Sequence, residues 1–240
     1  MTPTSRKPRP AGVRRDRTHE AYEKLRDLVV RGRLAPGARL VEAQIVGRLG
    51  STRSAVRGAL LRLQHEGYIQ GSGRSGQSGI TVSSLTSADA GELFRMVGEV
   101  EGLAAESAAQ IAPTARRALV GELNRVNQEY RRASTGAHPD GDRLYGLDTQ
   151  FHCLYVEAGA GPRLLALYRA INPQVERYVR IYQTALTEEI QTSVVEHAAI
   201  VAEIATGSGR GAHEAVRTNW RNAAARLRQV IDARGEAGSW

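Results

Sequence analysis

Apolar side chains recur at intervals of three and four along the first third of the chain. Tyr22, Leu25, Leu28 and Val29 form one stripe behind Thr18, which has the chemistry of an N-cap. Ile45, Val46 and Leu49 form a second, and Val56, Ala59, Leu60 and Leu63 a third. Each stripe predicts a helix with one buried face. Between the second and third stands Gly50-Ser51-Thr52. Gly50 suits the positive φ that ends a helix, and the Thr52 hydroxyl suits the cap of the next. Two helices joined by so tight a turn cross steeply, as in a helix-turn-helix. Pro36-Gly37 imposes a turn before this pair. The period then changes to two: residues 68–70 and 80–82 have strand character, and the Gly-rich stretch 71–79 between them predicts a hairpin tip. Helix, helix-turn-helix and two-stranded ribbon together predict a winged helix.

Beyond a polar connector at 83–88 the pattern is helical throughout. It predicts helices near 87–110, 114–133, 142–158, 162–184, 187–206 and 210–233, punctuated by Gly161-Pro162, Thr187 and Gly207-Ser208-Gly209. With no strand pattern and no repeat, these imply an antiparallel bundle of six to seven helices. The fold class is therefore mainly α: a winged helix-turn-helix over residues 18–83, a linker at 84–88 and a helical domain over 89–234. Residues 1–17 hold six basic residues and three prolines, predicting a disordered basic arm, and 235–240 form a tail.

Charge sharpens this division. Residues 1–85 carry 16 Lys or Arg against 6 Asp or Glu, whereas the remainder carries 17 against 19. A basic head on a nearly neutral bundle suits a head that meets a polyanion. Thr52, Arg53, Ser54 and Arg57 open the third helix, where an arginine fork can take a guanine edge or a phosphate. Arg74, at the expected wing tip, is placed for a minor-groove phosphate or base. Cys153 is the single cysteine, so no intrachain disulfide forms and a reducing cytoplasm is expected. No apolar run approaches the roughly 20 residues of a membrane span, and no apolar core marks a secretory signal.

The bundle carries a second candidate chemistry. Asp148 and His152 are four apart on one helix face, and His197 stands among Val194, Ile200 and Val201. One carboxylate and two imidazoles converging from two helices can hold a divalent metal of the zinc or nickel kind, although a histidine on an apolar face is also a common hydrogen-bonded core residue.

The run GRLAPGARLVEAQIVGRLGSTRSAVRGALLRLQHEGYI resembles the DNA-binding domain of the GntR family of bacterial transcription regulators. The Pro-Gly turn with Arg-Leu behind it, the Leu-Gly pair, and Thr-Arg-x-x-Val-Arg-x-Ala-Leu-x-x-Leu match in order over about 70 residues. Members usually carry proline at 55 and glutamate at 58, where this chain has Ala55 and Gly58. The resemblance implies that Thr52, Arg53, Ser54 and Arg57 read an operator on double-stranded DNA. The bundle resembles the FCD ligand-binding domain of the FadR-like branch. Many FCD domains bind metal through an Asp-x-x-x-His pair, a His after Glu and a further His on the last helix. Asp148, His152 and Glu196-His197 match; the last position is Asn219, a weaker ligand. Similar proteins also place an Arg four residues before the Glu of a Leu-Glu pair to meet an organic acid, whereas here the pair is Val100-Glu101 and position 97 is Val97. Glu101, Arg177, Arg180 and Tyr182, with Tyr178, are the candidate effector contacts in its place. The resemblance implies a metabolite-responsive homodimer, a repressor by the commoner habit of similar proteins. The competing readings are a metal-dependent enzyme, which would need a general base beyond the presumed ligands, and an architectural protein that binds DNA without sequence preference.

Overall fold

Two hydrophobic cores organise the chain, one under the basic head and one inside the bundle. The computed structural model describes residues 17–71, 79–135, 139–186 and 190–236, with backbone only for 181–186. The arm through residue 16, the wing tip at 72–78 with Arg74, residues 187–189 where the fifth bundle helix was expected to start, and 237–240 lie outside the described residues.

In the head, α1 (Arg17–Val30), α2 (Glu42–Leu49) and α3 (Arg53–His65) bury the predicted stripes. Tyr22, Leu25 and Val29 of α1 meet Val56, Leu60 and Leu63 of α3, and Leu28 is only half-buried. α1 already includes Arg17, so Thr18 lies within the helix rather than capping it. Its methyl faces α3 at Gly58, where a Cβ would come within 2.7 Å of Thr18 Cγ2. A side chain at 58, such as the family's usual glutamate, would have to displace that methyl. Gly50 adopts the left-handed conformation, φ 57°, and Thr52 Oγ1 accepts from Ala55 N–H at 3.3 Å, as the turn chemistry predicts.

The wing contains three strands among the described residues, not two. β1 (Arg39–Leu40) joins β2 (Ile69–Gln70) and β3 (Ile80–Val82) in an antiparallel sheet of order β1-β3-β2. Arg39 pairs with Thr81, and Ile69 with Val82. The cause is the Pro36-Gly37 turn: Gly37 N–H donates to Val82 O and Val82 N–H to Ala38 O, both at 2.9 Å, which lays residues 39–40 alongside β3. A two-residue strand has no periodicity to betray it.

The connector is also shorter and less polar than expected. Leu85 is completely buried in the bundle core, and Thr86 caps α4 (Ser87–Ala109) by accepting from Asp89 N–H at 3.1 Å. The bundle continues with α5 (Pro113–Ser134), α6 (Gly141–Gly159), α7 (Pro162–Leu186), α8 (Ile190–Thr206) and α9 (Gly209–Arg234). Alanines 104, 105, 108 and 109 give α4 a thin face at the bundle centre, close to Phe151, Tyr155, Ile200 and Leu227. Pro173 lies inside α7, where its ring deprives the Arg169 carbonyl of a helical donor. Just beyond it one face of α7 stays in the bundle core through Val175 and Tyr178 while another grips the head: Gln174 Nε2 donates to Glu66 O and Arg177 Nη2 to Ser83 O, both at 2.6 Å. Among the described residues no helix is long and apolar enough to cross a membrane.

Candidate functional site

The N-terminal turns of α3 project from the head. Thr52, Arg53, Ser54 and Arg57 are all exposed, while Ala55 and Val56 between them are buried. Helical spacing thus separates a reading face from an anchoring face within one turn. Arg57 is 70% exposed and bonds Glu42 of α2 at 3.3 Å, an exposed pair that a phosphate or base edge can displace at small cost. Arg17 and Lys24 of α1 border the same turn beside Gly50 and Thr52, extending its positive rim.

Inside the bundle a cavity of about 110 Å³ opens among α4, α5, α6, α7, α8 and α9. Asp148 and His152, one turn apart on α6, both reach it, and His197 of α8 closes on them. One donor atom from each of the three lies within 4.8 Å of the others. Metal bonds of roughly 2.1 Å place neighbouring donors about 3–3.5 Å apart, so a small closing movement of these side chains suffices for coordination.

The two imidazoles are oriented by their rear nitrogens. His152 Nδ1 lies 2.7 Å from Glu101 Oε2, which also accepts from Tyr155 OH at 2.5 Å and Trp220 Nε1–H at 2.7 Å. With Tyr155 and Trp220 donating to the same oxygen, Glu101 acts as an acceptor for Nδ1–H of His152, and Nε2 keeps its lone pair for the cavity. A carboxylate behind a histidine is the arrangement that fixes tautomer and raises basicity in metal sites. His197 Nδ1 is 3.3 Å from Asn127 Oδ1, and its ring stacks on Phe151 at 4.0 Å between centroids. Its Nε2 is buried, has no hydrogen-bond partner and lies 3.5 Å from Asp148 Oδ1. A buried nitrogen without a hydrogen-bond partner that faces a carboxylate has the chemistry of a cation ligand.

Electrostatics agree with that fit. Burial raises the Asp148 carboxyl above its ordinary value and Glu101 adds to the rise, against the opposing pull of His152. Although its side chain is 31% exposed, that exposure is toward the cavity it lines. Burial, then repulsion from His152 and Arg226, holds His197 well below the ordinary histidine value, so it is neutral and ready to donate a lone pair. Burial pulls His152 down, but the charge and hydrogen bond of Glu101, with Asp148, outweigh it and leave its value raised.

Several expected contacts lie elsewhere. Glu101 is fully buried behind His152 and does not line the cavity. Arg180 is held by Glu176 and Asp142 over the ring of Tyr145, which lines the cavity, but is not itself part of the lining, and Arg177 faces the connector. Tyr178 OH donates to Asp89 at 2.6 Å and accepts from Thr86 N–H at 3.1 Å. The Tyr182 side chain lies outside the described residues. Arg226, absent from the sequence reading, does reach the cavity, where it forms a bidentate pair with Glu196 at 2.9 and 3.0 Å. Its signal was present: Asn219, Asn222 and Arg226 repeat at i, i+3 and i+7, a polar stripe on a helix that must be buried on one side.

The chain's likenesses to known proteins follow the same division. The model of the bacterial regulatory proteins of the gntR family matches residues 17–82, and that of the FCD domain matches residues 92–222. An uncharacterized HTH-type transcriptional regulator, YdhC of Bacillus subtilis (strain 168), is 24% identical over 211 residues, covering 88% of this chain and 91% of the relative. Another, in an unstable DNA locus of Streptomyces ambofaciens, is 29% identical over 213 residues, covering 86% and 83%. Among solved structures, E. coli McbR/YncC superposes with a TM-score of 0.68 at 19% identity, covering 89% of this chain and 97% of that one. A transcriptional regulator GntR from Rhodococcus sp. RHA1 gives 0.65 at 22%, covering 90% and 98%. An exposed reading helix on a basic winged head, and behind it a closed helical pocket, are thus the two halves of one known plan: the chain belongs to the GntR family of transcription regulators and carries an FCD effector-binding domain.

Proposed function

We propose that the protein is a cytoplasmic repressor that grips a near-palindromic operator as a homodimer and releases it when a small organic acid enters the bundle cavity. Arg53 and Arg57 read bases, Thr52 and Ser54 position α3 on the backbone, and two heads about 34 Å apart meet successive major grooves. In the bundle, Asp148, His152 and His197 would hold a divalent ion of the zinc or nickel kind, supplying a positive centre for the acid. The observation that carries this reading is the unpartnered Nε2 of His197, buried beside Asp148, which lines the cavity. With these three side chains engaged as ligands, we identify no general base for turnover among the described residues, and we propose binding.

Coupling to DNA runs through α7. Val179 lines the cavity, while Gln174, Arg177 and Tyr178 on the same helix bond Glu66, Ser83 and the Thr86 cap. Arg177 is buried, keeps an unpartnered Nε, and has its guanidinium value lowered by burial. A shift of α7 would strain or break this buried contact, so a ligand that favours one α7 position biases the orientation of the head.

The test has two steps on the full-length protein. An operator is first selected from random duplexes, and metal content is measured for the wild type beside Asp148→Ala. Fluorescence anisotropy then follows operator affinity with small mono- and dicarboxylic acids, with and without a chelator. Sequence preference at physiological salt, near-stoichiometric metal lost in the mutant, and acid-induced release abolished by chelation are expected. Metal-free wild-type protein, or release that ignores the chelator, would sink the metal-supported pocket. Binding indifferent to sequence would sink the operator reading.

A further inference from the structure

α4 and α9 pack antiparallel: Gly98 faces Trp220 and, one turn on, Gly102 faces His213. At the Gly102 end the seam is closed, with His213 between Glu99 and Glu106 at 3.3 and 3.1 Å. Toward Gly91 it opens into a groove of about 250 Å³. Gly91 and Gly98 are two turns apart on one helix face, and neither supplies a side chain to fill the gap. A Cβ at Gly98 would stand 3.0 Å from Trp220 Cβ, whereas one at Gly91 would meet open space. Phe94, Trp220 and Ala224 form the apolar wall, and Arg95, Arg217 and Arg221 stand around it against a single carboxylate, Glu99. Glu99 does not neutralise the groove. Its Oε1 is taken by Arg217 Nε at 2.8 Å, and Arg217 also pairs with Glu214 at 3.0 Å. Arg221 bonds the Thr218 hydroxyl at 3.0 Å and no carboxylate among the described residues. Arg95 has no hydrogen-bond or ion-pair partner among the described residues. Both are exposed. Two guanidinium groups without an acid thus flank an apolar concavity, in a domain where acids outnumber bases. Phe94 and Trp220 also line the cavity, so the two spaces share an aromatic wall.

We propose that the α4–α9 groove is a second small-molecule site, which takes an amphipathic carboxylate with a short aromatic or apolar body. The body lies on Phe94, Trp220 and Ala224, and the carboxylate takes the guanidinium groups of Arg95 and Arg221. A planar guanidinium matches a carboxylate in shape and charge, and the charge-assisted bonds so formed are the stronger kind. The apolar wall adds what an inorganic anion cannot use. The groove is smaller than the roughly 300–1,000 Å³ of ordinary ligand pockets, which limits the body to about one ring. The site uses none of Asp148, His152 and His197 and needs no metal, so it does not rest on the reading of the cavity. Trp220, in the shared wall, reports its occupancy directly.

The experiment uses the full-length protein carrying Trp240→Phe, which leaves Trp220 as the single tryptophan. Its fluorescence is titrated with sodium benzoate, beside benzyl alcohol and inorganic phosphate, each with and without a metal chelator. Benzoate should change the emission saturably whether or not the chelator is present, and neither benzyl alcohol nor phosphate should match it at equal concentration. Arg95→Ala and Arg221→Ala should each weaken benzoate binding about tenfold. Gly91→Leu, whose side chain would occupy open space in the groove, should abolish it. Arg228→Ala, an equal change of charge on α9 outside the groove, should leave it unaltered. No saturable response in the parent protein, or equal weakening by Arg228→Ala, would overturn the site. A response that vanishes with the chelator and ignores Gly91→Leu would put the acid in the metal cavity, overturning the groove while supporting the reading of the cavity. Sedimentation velocity on the same variants covers another occupant, a second copy of the chain. A changed assembly state in Arg95→Ala or Gly91→Leu, with no benzoate response in the parent, would make the groove a contact between copies and overturn the proposal. Gly91 and Arg95 are both exposed, so these substitutions leave the core intact, and either one alone keeps the test decisive.

Discussion

Glu101→Gln separates the two things that Glu101 does. Its Oε2 accepts from Tyr155, Trp220 and His152, at 2.5, 2.7 and 2.7 Å, and its Oε1 is buried without a partner. Glutamine keeps the volume and removes the charge. Three charge-assisted bonds become neutral, at a cost on the order of 1 kcal/mol each. The new NH₂, placed where Oε1 has no neighbour to accept from it, costs roughly 1–3 kcal/mol more. Against these stands relief from burying an ion, worth several kcal/mol. The terms oppose, so the metal-free bundle should lose no more than about 2 kcal/mol. Metal binding has no such compensation. The His152 ring loses the anion that fixes Nδ1–H and enriches Nε2, which should weaken metal affinity about 10–100-fold, or about 1.4–2.7 kcal/mol. Competitive titration of metal-stripped protein against a chromophoric chelator reads the affinity. Thermal unfolding with and without chelator reads stability, and the rise in Tm on adding metal should shrink as the affinity falls. A folded variant with wild-type metal affinity would refute the reasoning and leave Glu101 as an acceptor for core hydroxyl and indole groups.

Three further predictions follow from the same geometry. Arg53→Ala should cost about 1–3 kcal/mol on the best operator and relax preference at one base pair, whereas equal weakening on all duplexes with a shallower salt slope would reassign Arg53 to a phosphate. In α6, Gly159→Ala should destabilise by about 1–3 kcal/mol, because its Cβ would lie 2.0 Å from the Ala104 carbonyl oxygen, while Gly146→Ala meets open space and should stabilise by roughly 0.5–1 kcal/mol; chemical denaturation curves that moved both the same way would contradict this. Metal affinity should rise with pH through and above the ordinary histidine range, since the raised value of His152 lets a proton compete at Nε2. In metal-free protein that same group contributes stability that is full below its unfolded value and lost as pH rises through the folded one. His197 behaves oppositely, contributing stability that is lost as pH falls below the unfolded value. A metal affinity flat between mildly acidic and mildly alkaline pH would refute the competition.

Much of the site was legible because its parts are local. Asp148 and His152 are one turn apart, so any helix brings them to one face, and His197 declared its orientation through flanking valines and isoleucines. What periodicity could not supply was the azimuth of one helix relative to its neighbours. Arg177 and Arg180 have the charge of an effector contact, yet α7 turns one toward Ser83 and ties the other to Asp142 and Glu176. Glu101 was expected to meet a ligand, and α4 instead places it behind His152. The third strand was invisible for a related reason: two residues cannot show a period, and only the bond between Gly37 and Val82 lays them against β3.

By itself the sequence determined the order and nearly all the bounds of the helices, the turn at Gly50 and Thr52, the exposed arginines of α3 and the trio Asp148, His152 and His197. These depend on contacts within one or two turns, which the chain makes wherever it folds. Only the tertiary structure decided that Arg226 reaches the cavity paired with Glu196, that the His197 nitrogen is left unpartnered, and that α7 joins the cavity to the head. Those relations hold between residues far apart in the chain, and they follow from packing many faces at once rather than from any single periodicity.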